Sequence, residues 1–168
     1  MKFYLSLIIT LAFLNFSCTK DEGVEAIKDL ALGSATAEVA GKGVAFNTAA
    51  GAFNPALKSF SIALNGTPSD GGTALITTVA LNLSNFQKGD TGTFPCVEKT
   101  SGTSTQVFGS MIQTTLSGNT GGVITGGQVE IVSWNEKGVL VKFEVTSKGD
   151  NNTTMVLTKG QGNINLLN

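Results

Sequence analysis

The chain has 168 residues, a formal net charge of −1 and no histidine, and all of its 11 basic residues are lysine. That length suits a single domain. Lack of histidine removes Ser-His-Asp and Cys-His catalysis, the HExxH zinc site and imidazole acid–base chemistry; lack of arginine or any basic patch removes nucleic acid as an expected partner.

Residues 1–23 read MKFYLSLIITLAFLNFSCTKDEG, a lysine-bearing start, an apolar run from Phe3 to Phe16 and an abrupt polar end. A charged start, an apolar core of roughly 7–15 residues and a small residue before the cut describe a secretory signal. A membrane-spanning helix needs about 20 apolar residues, and this run is shorter. The competing reading is a buried N-terminal helix. Leu14, Ser17 and Cys18 resemble a bacterial lipobox. Lys20, Asp21 and Glu22 resemble the surface-export tag that follows the cysteine in lipoproteins of the Bacteroidota. The resemblance implies a signal peptide over 1–17 and a diacylglycerol- and palmitate-type anchor on Cys18. It also implies an outer-membrane location facing the extracellular side. One acyl chain binds only marginally at about 0.8 kcal/mol per methylene, whereas two or three hold a protein stably.

Residues 18–33 read as a tether, with Val24, Ile27 and Leu30 at a spacing that allows one or two helical turns. From Ser34 the texture changes to short alternating blocks between Gly, Asn, Asp and Pro clusters, the pattern of strands and turns. Strands are expected near 35–40, 43–48, 58–65, 73–83, 92–99, 104–116, 122–133, 139–147 and 153–166. Turns are expected at 65–72, 86–92, 99–104, 117–122, 135–138 and 148–152. Regular short strands predict an all-β domain over 34–168, an antiparallel β-sandwich with a small closed β-barrel as the alternative.

The best-specified unit is the hairpin around NEKG, residues 135–138. A type I turn with Gly138 in the left-handed position would pair Ser133 with Val141, Ile131 with Phe143 and Val129 with Val145 facing inward. The outward face would then pair Trp134 with Leu140, Val132 with Lys142, and Glu130 with Glu144. The segments GQVEIVSWNEKG, VKFEV and LTKGQGNINL, with ATAEVAGKGVAFNTAAG nearer the start, resemble an all-β lipoprotein domain of unknown function from the Bacteroidota. That resemblance implies β architecture and surface lipoprotein status and transfers no catalytic residue.

Two opposed carboxylates at Glu130 and Glu144 could hold a cation or act as a retaining-glycosidase pair, since facing Cβ atoms lie about 4.5–5.5 Å apart. They could equally be solvated acids relieved by Lys142 and Lys148. Trp134, beside Leu140 and Val132, could be an exposed ligand surface, or could be covered by a sheet, a loop or the tether. Asp90 lies in an Asp-Thr-Gly triplet, but aspartic-protease chemistry needs two such carboxylates, and a turn is the simpler reading. The GDNN stretch at 149–152 lacks the spaced acids of a calcium loop and also reads as a turn. Cys96 reads as a small buried apolar residue, or as a disulfide partner of Cys18 if that cysteine carries no lipid.

These features point to a non-catalytic, membrane-anchored module that binds glycan, peptide or a partner protein and needs no cofactor. The alternatives are an assembly component of an envelope complex, and a hydrolase using Glu130, Glu144 or Asp90.

Overall fold

The computed structural model describes residues 27–70, 75–149 and 152–167. The leader, Cys18 and the first part of the tether fall outside these residues, as do Asp150 and Asn151 of the expected turn at 148–152. The strands are β1 (Ser34–Val39), β2 (Lys42–Asn54), β3 (Ser59–Pro68), β4 (Ile76–Ser84) and β5 (Gly92–Pro95). They continue with β6 (Gln106–Thr115), β7 (Gly118–Trp134), β8 (Gly138–Lys148) and β9 (Thr154–Leu166).

Alternation explains the individual strands, because successive side chains of a strand point to opposite faces. In β3 the buried positions are Phe60, Ile62, Leu64 and Gly66; in β4 they are Thr77, Val79, Leu81 and Leu83. The intervening positions carry Ser, Ala, Asn and Thr. β2 runs past the expected end at residue 48 because a bulge between Phe46 and Thr48 interrupts its alternation without ending the strand. Beyond the bulge, Ala49 and Gly51 again face the core.

The strands form one sheet in the order β5-β7-β6-β4-β3-β2-β1-β9-β8, and β8 pairs back onto β7. The sheet therefore closes into an antiparallel barrel of eight strands, β5 being the extra one. This is the small closed barrel, not the two-layer sandwich. β7 makes the difference. It pairs with β6 from Gly118 to Val123, then with β8 from Val123 to Trp134, while β5 occupies the edge that β6 leaves. Bulges after Ile124 and Ile131 bend it. Gly127, at φ +108°, lies so close to the carbonyl of Glu144 that no side chain fits. The glycines of residues 118–127 are thus strand, not the turn expected at 117–122.

An eight-stranded barrel has an interior just wide enough for side chains to fill. Here Phe46, Phe60, Phe143, Met111, Ile124 and Ile131 occupy it, all essentially buried. Large residues face small ones: Gly66 lies opposite Phe46, and Gly160 opposite Phe143. A Cβ on either glycine would collide with the neighbouring phenylalanine. The interior is apolar, where a transmembrane barrel of the porin type keeps a polar one.

One end is sealed by aromatic rings. Phe60 lies 5.0 Å from Trp134 and 5.8 Å from Phe86, and Phe86 meets Phe94 edge-on at 5.5 Å. Beside this end the segment 27–33 packs onto the outside of the barrel. Ile27 is fully buried, Asn163 donates its side-chain N–H to the Leu30 carbonyl at 2.9 Å, and the Gly33 N–H reaches the Asn163 carbonyl at 2.7 Å. The packed unit therefore begins inside the stretch expected to be a tether.

Candidate functional site

The hairpin register differs from the expected one. The NEKG turn leaves Trp134 opposite Val139 and Ser133 opposite Leu140, and a bulge between Ile131 and Ser133 adds a second shift that places Ile131 opposite Val141. Asn135, not a left-handed glycine, makes the turn. Its Oδ1 accepts from the Lys137 and Gly138 N–H groups at 2.9 and 2.7 Å. Gly138 does not adopt a positive φ; it is small because Leu32, Ile164 and Asn163 crowd the place a Cβ would take.

Three expectations change with the register. Trp134 turns inward onto Phe60 and Phe86, and its indole N–H donates to the Asp90 carbonyl at 2.8 Å. Leu140 does not share its face. It is only 7% exposed, opposite the Asn163 that anchors segment 27–33, so the N-terminal segment covers it. Glu130 and Glu144 are not opposed: Glu130 faces Lys142, and Glu144 faces Gln128. The turn moves the register by one residue and the bulge in β7 by one more, and this shift of two separates the carboxylates onto neighbouring rungs. The premise of a facing carboxylate pair, for a cation or for hydrolysis, is thereby removed. Among the described residues no group of three or more His, Cys, Asp or Glu could hold a metal ion.

Asp90 sits in a turn. Its carboxylate accepts from the Gln87 N–H at 2.8 Å, and its own N–H donates to the Gln87 carbonyl at 3.0 Å. Cys96 is buried and has no disulfide partner among the described residues, and burial pushes its thiol up from 9.0 to about 12.

The outward residues of β7, β8, β9 and β1 assemble a polar strip instead. One rung runs Glu130–Lys142–Gln161–Thr36 across four strands. The next runs from Gln128 and Glu144 to Thr158, Lys159 and Glu38. Two residues along a strand separate the rungs by roughly 7 Å. Between them lies a groove of about 400 Å3 whose floor is the backbone of Phe143 and Gly160. A second groove of about 300 Å3, over β1 and β2, shares Lys159 and Gln161 with the first.

Lys159 organises the strip. β9 carries one extra residue against both neighbours, between Leu157 and Gly160, and Lys159 stands in that bulge at φ +51°. A left-handed backbone costs an L-residue roughly 1–2 kcal/mol, and glycine is the usual occupant of such bulges. A lysine held there is an outlier of the kind that collects at functional positions. Its ammonium donates to Glu38 at 2.8 Å while the side chain stays 73% exposed. Lys142 and Glu130 form a looser pair at 3.9 Å. The register missed at Val132 hid these groupings; the surviving sequence signal was TKGQG, whose glycines inside a strand mark a bulge.

No known family matches the chain, and neither does any curated protein or solved structure.

Proposed function

We propose that the chain is a lipid-anchored, non-catalytic binding module, held to the outer membrane through Cys18 and displayed to the outside, which recognises its ligand with the outer strip on β7, β8, β9 and β1. The observation that carries this reading is Lys159, a strained lysine at the junction of two grooves. The lipobox-like and export-tag-like residues support the anchor and its orientation, and the ligand classes in view are glycan, peptide and partner protein. The test has two arms. Intact mass of the membrane-extracted protein should show acyl chains on Cys18 and loss of residues 1–17. Screening the detergent-solubilised chain on glycan and peptide arrays should give a ligand whose binding weakens in Lys159→Ala. A lipid-free polypeptide retaining its leader would remove the anchor, and silence on both arrays would remove the binding role.

A second reading, an assembly component of an envelope complex, has its own observation. β3, β4, β5 and β6 contain no charged residue. On their outer face Ala63, Ala80 and Ser110 form one rung, continued by Ala50 of β2. Four of the eight large apolar residues that are exposed among the described residues, Leu57, Ile76, Phe108 and Leu116, lie in or beside these strands. Co-purification from crosslinked outer membranes, lost in a Phe108→Glu variant, would favour this reading over the first.

A further inference from the structure

Resting on the binding-module reading, we infer that the strip takes a neutral, hydroxyl-rich linear chain, a polysaccharide segment, lying across strands β7 to β1 in the groove between the two rungs. Donor and acceptor matching favours such a chain. Glu130 and Glu144, when ionised, only accept; Lys142 and Lys159 only donate; Gln128 and Gln161 do both. These types alternate along each rung at strand spacing, so one ligand group must satisfy a donor and an acceptor about 5 Å apart. A sugar hydroxyl does both at once.

Charge narrows the class. Lys159 is engaged by Glu38 at 2.8 Å and Lys142 lies 3.9 Å from Glu130, which leaves Glu144 as the surplus charge of the strip. The described residues of the strip offer no concentration of free cations to an anionic polymer. Topology narrows it further. β8, β9 and β1 are each paired on both sides here, so an extended peptide finds no open edge to join as an added strand. The groove floor is backbone at Phe143 and Gly160, which lets a chain lie low between the rungs. Four strands about 4.8 Å apart give the strip a length of roughly 15 Å, enough for several sugar rings.

The test uses the full chain in detergent, titrated with neutral linear polysaccharides (β-glucan, xylan, mannan), with heparin as an anionic polymer and with an unstructured peptide library. The expected result is binding of at least one neutral polysaccharide, weakened about tenfold or more in Gln128→Ala/Gln161→Ala. Lys159→Gly should weaken it likewise while leaving the melting temperature unchanged or higher, because glycine relieves the left-handed backbone; a merely structural lysine would show the second effect alone. Neutral polysaccharide binding that survives both variants would overturn the placement. Binding confined to heparin or peptides would overturn the ligand class and leave the binding-module reading standing. No binding to any probe would overturn both.

Discussion

The indole nitrogen of Trp134 donates 2.8 Å to the backbone carbonyl of Asp90 and so ties the end of β7 to the loop between β4 and β5. This contact closes one end of the barrel. The loop brings Phe86, fully buried, under the indole, with ring centroids 5.9 Å apart. Trp134→Phe keeps most of the packing and loses the hydrogen bond, for an expected cost of about 1 kcal/mol. Trp134→Ala leaves a cavity and is expected to cost about 3–5 kcal/mol. Urea unfolding measures both. As this is the sole tryptophan, native fluorescence should be blue-shifted and poorly quenched by iodide. Red-shifted, readily quenched emission would restore Trp134 to the surface.

How far the molecule can be read from its sequence turns on single residues. β-strand alternation is local, so the nine strands among the described residues were legible, several to within a few residues. Closure is not local: it comes from β1 pairing with β9 at the other end of the described chain, which alternation does not announce, and the bends of β7 at Thr125 and Val132 leave no periodic trace. The same bulge after Ile131 decides the surface, because a slip of one residue exchanges the faces. It turned Trp134 inward and, together with the one-residue shift at the turn, set Lys142 opposite Glu130. The left-handed Lys159 was hidden for a related reason, since lysine gives no hint of a positive φ.

Glycines offer an internal control on the packing of the barrel. A Cβ at Gly160 would drive into the ring and carbonyl of Phe143, whereas one at Gly126 meets nothing within 4 Å and its φ is not positive. Gly160→Ala is expected to destabilise by about 1–3 kcal/mol through overpacking. Gly126→Ala should be neutral or stabilising by about 0.4–1 kcal/mol, because alanine has fewer unfolded conformations to lose. Equal effects in a thermal melt would contradict the filled interior.

Cys96 links burial to pH. Its thiol ordinarily titrates at 9.0, and burial pushes it up to about 12. Above pH 9.0 the unfolded chain releases this proton while the folded chain keeps it. The folded state then binds more protons, so its stability falls as pH rises from 9.0 toward about 12. The urea midpoint of the wild type should therefore drop relative to Cys96→Ala across that window, and the two should run parallel below it. The native thiol should also resist Ellman's reagent until the protein unfolds, because the thiolate is the reactive form. Fast labelling of the folded chain would contradict the buried placement.

Ile27 separates a packed N-terminal segment from a passive tether. It is fully buried yet lies outside the cluster that fills the barrel, as does Leu140. The segment is fixed by the Asn163 bonds to Leu30 and Gly33, and its Leu32 reaches Gly138 at the turn between β7 and β8. Truncating a buried isoleucine to alanine costs about 2–5 kcal/mol, while a change in a solvated linker stays within about 0.5 kcal/mol. Ile27→Ala should thus lower the unfolding free energy by at least about 2 kcal/mol and speed amide exchange at Leu140 and Asn163. If Cys18 carries the lipid, eight residues separate it from Ile27, a reach of roughly 30 Å fully extended. The sealed end of the barrel would then stay close to the membrane, and the Leu116 turn at the other end, where that side chain is 98% exposed, would point away. A stability change within about 0.5 kcal/mol for Ile27→Ala would undo both the packing and the orientation derived from it.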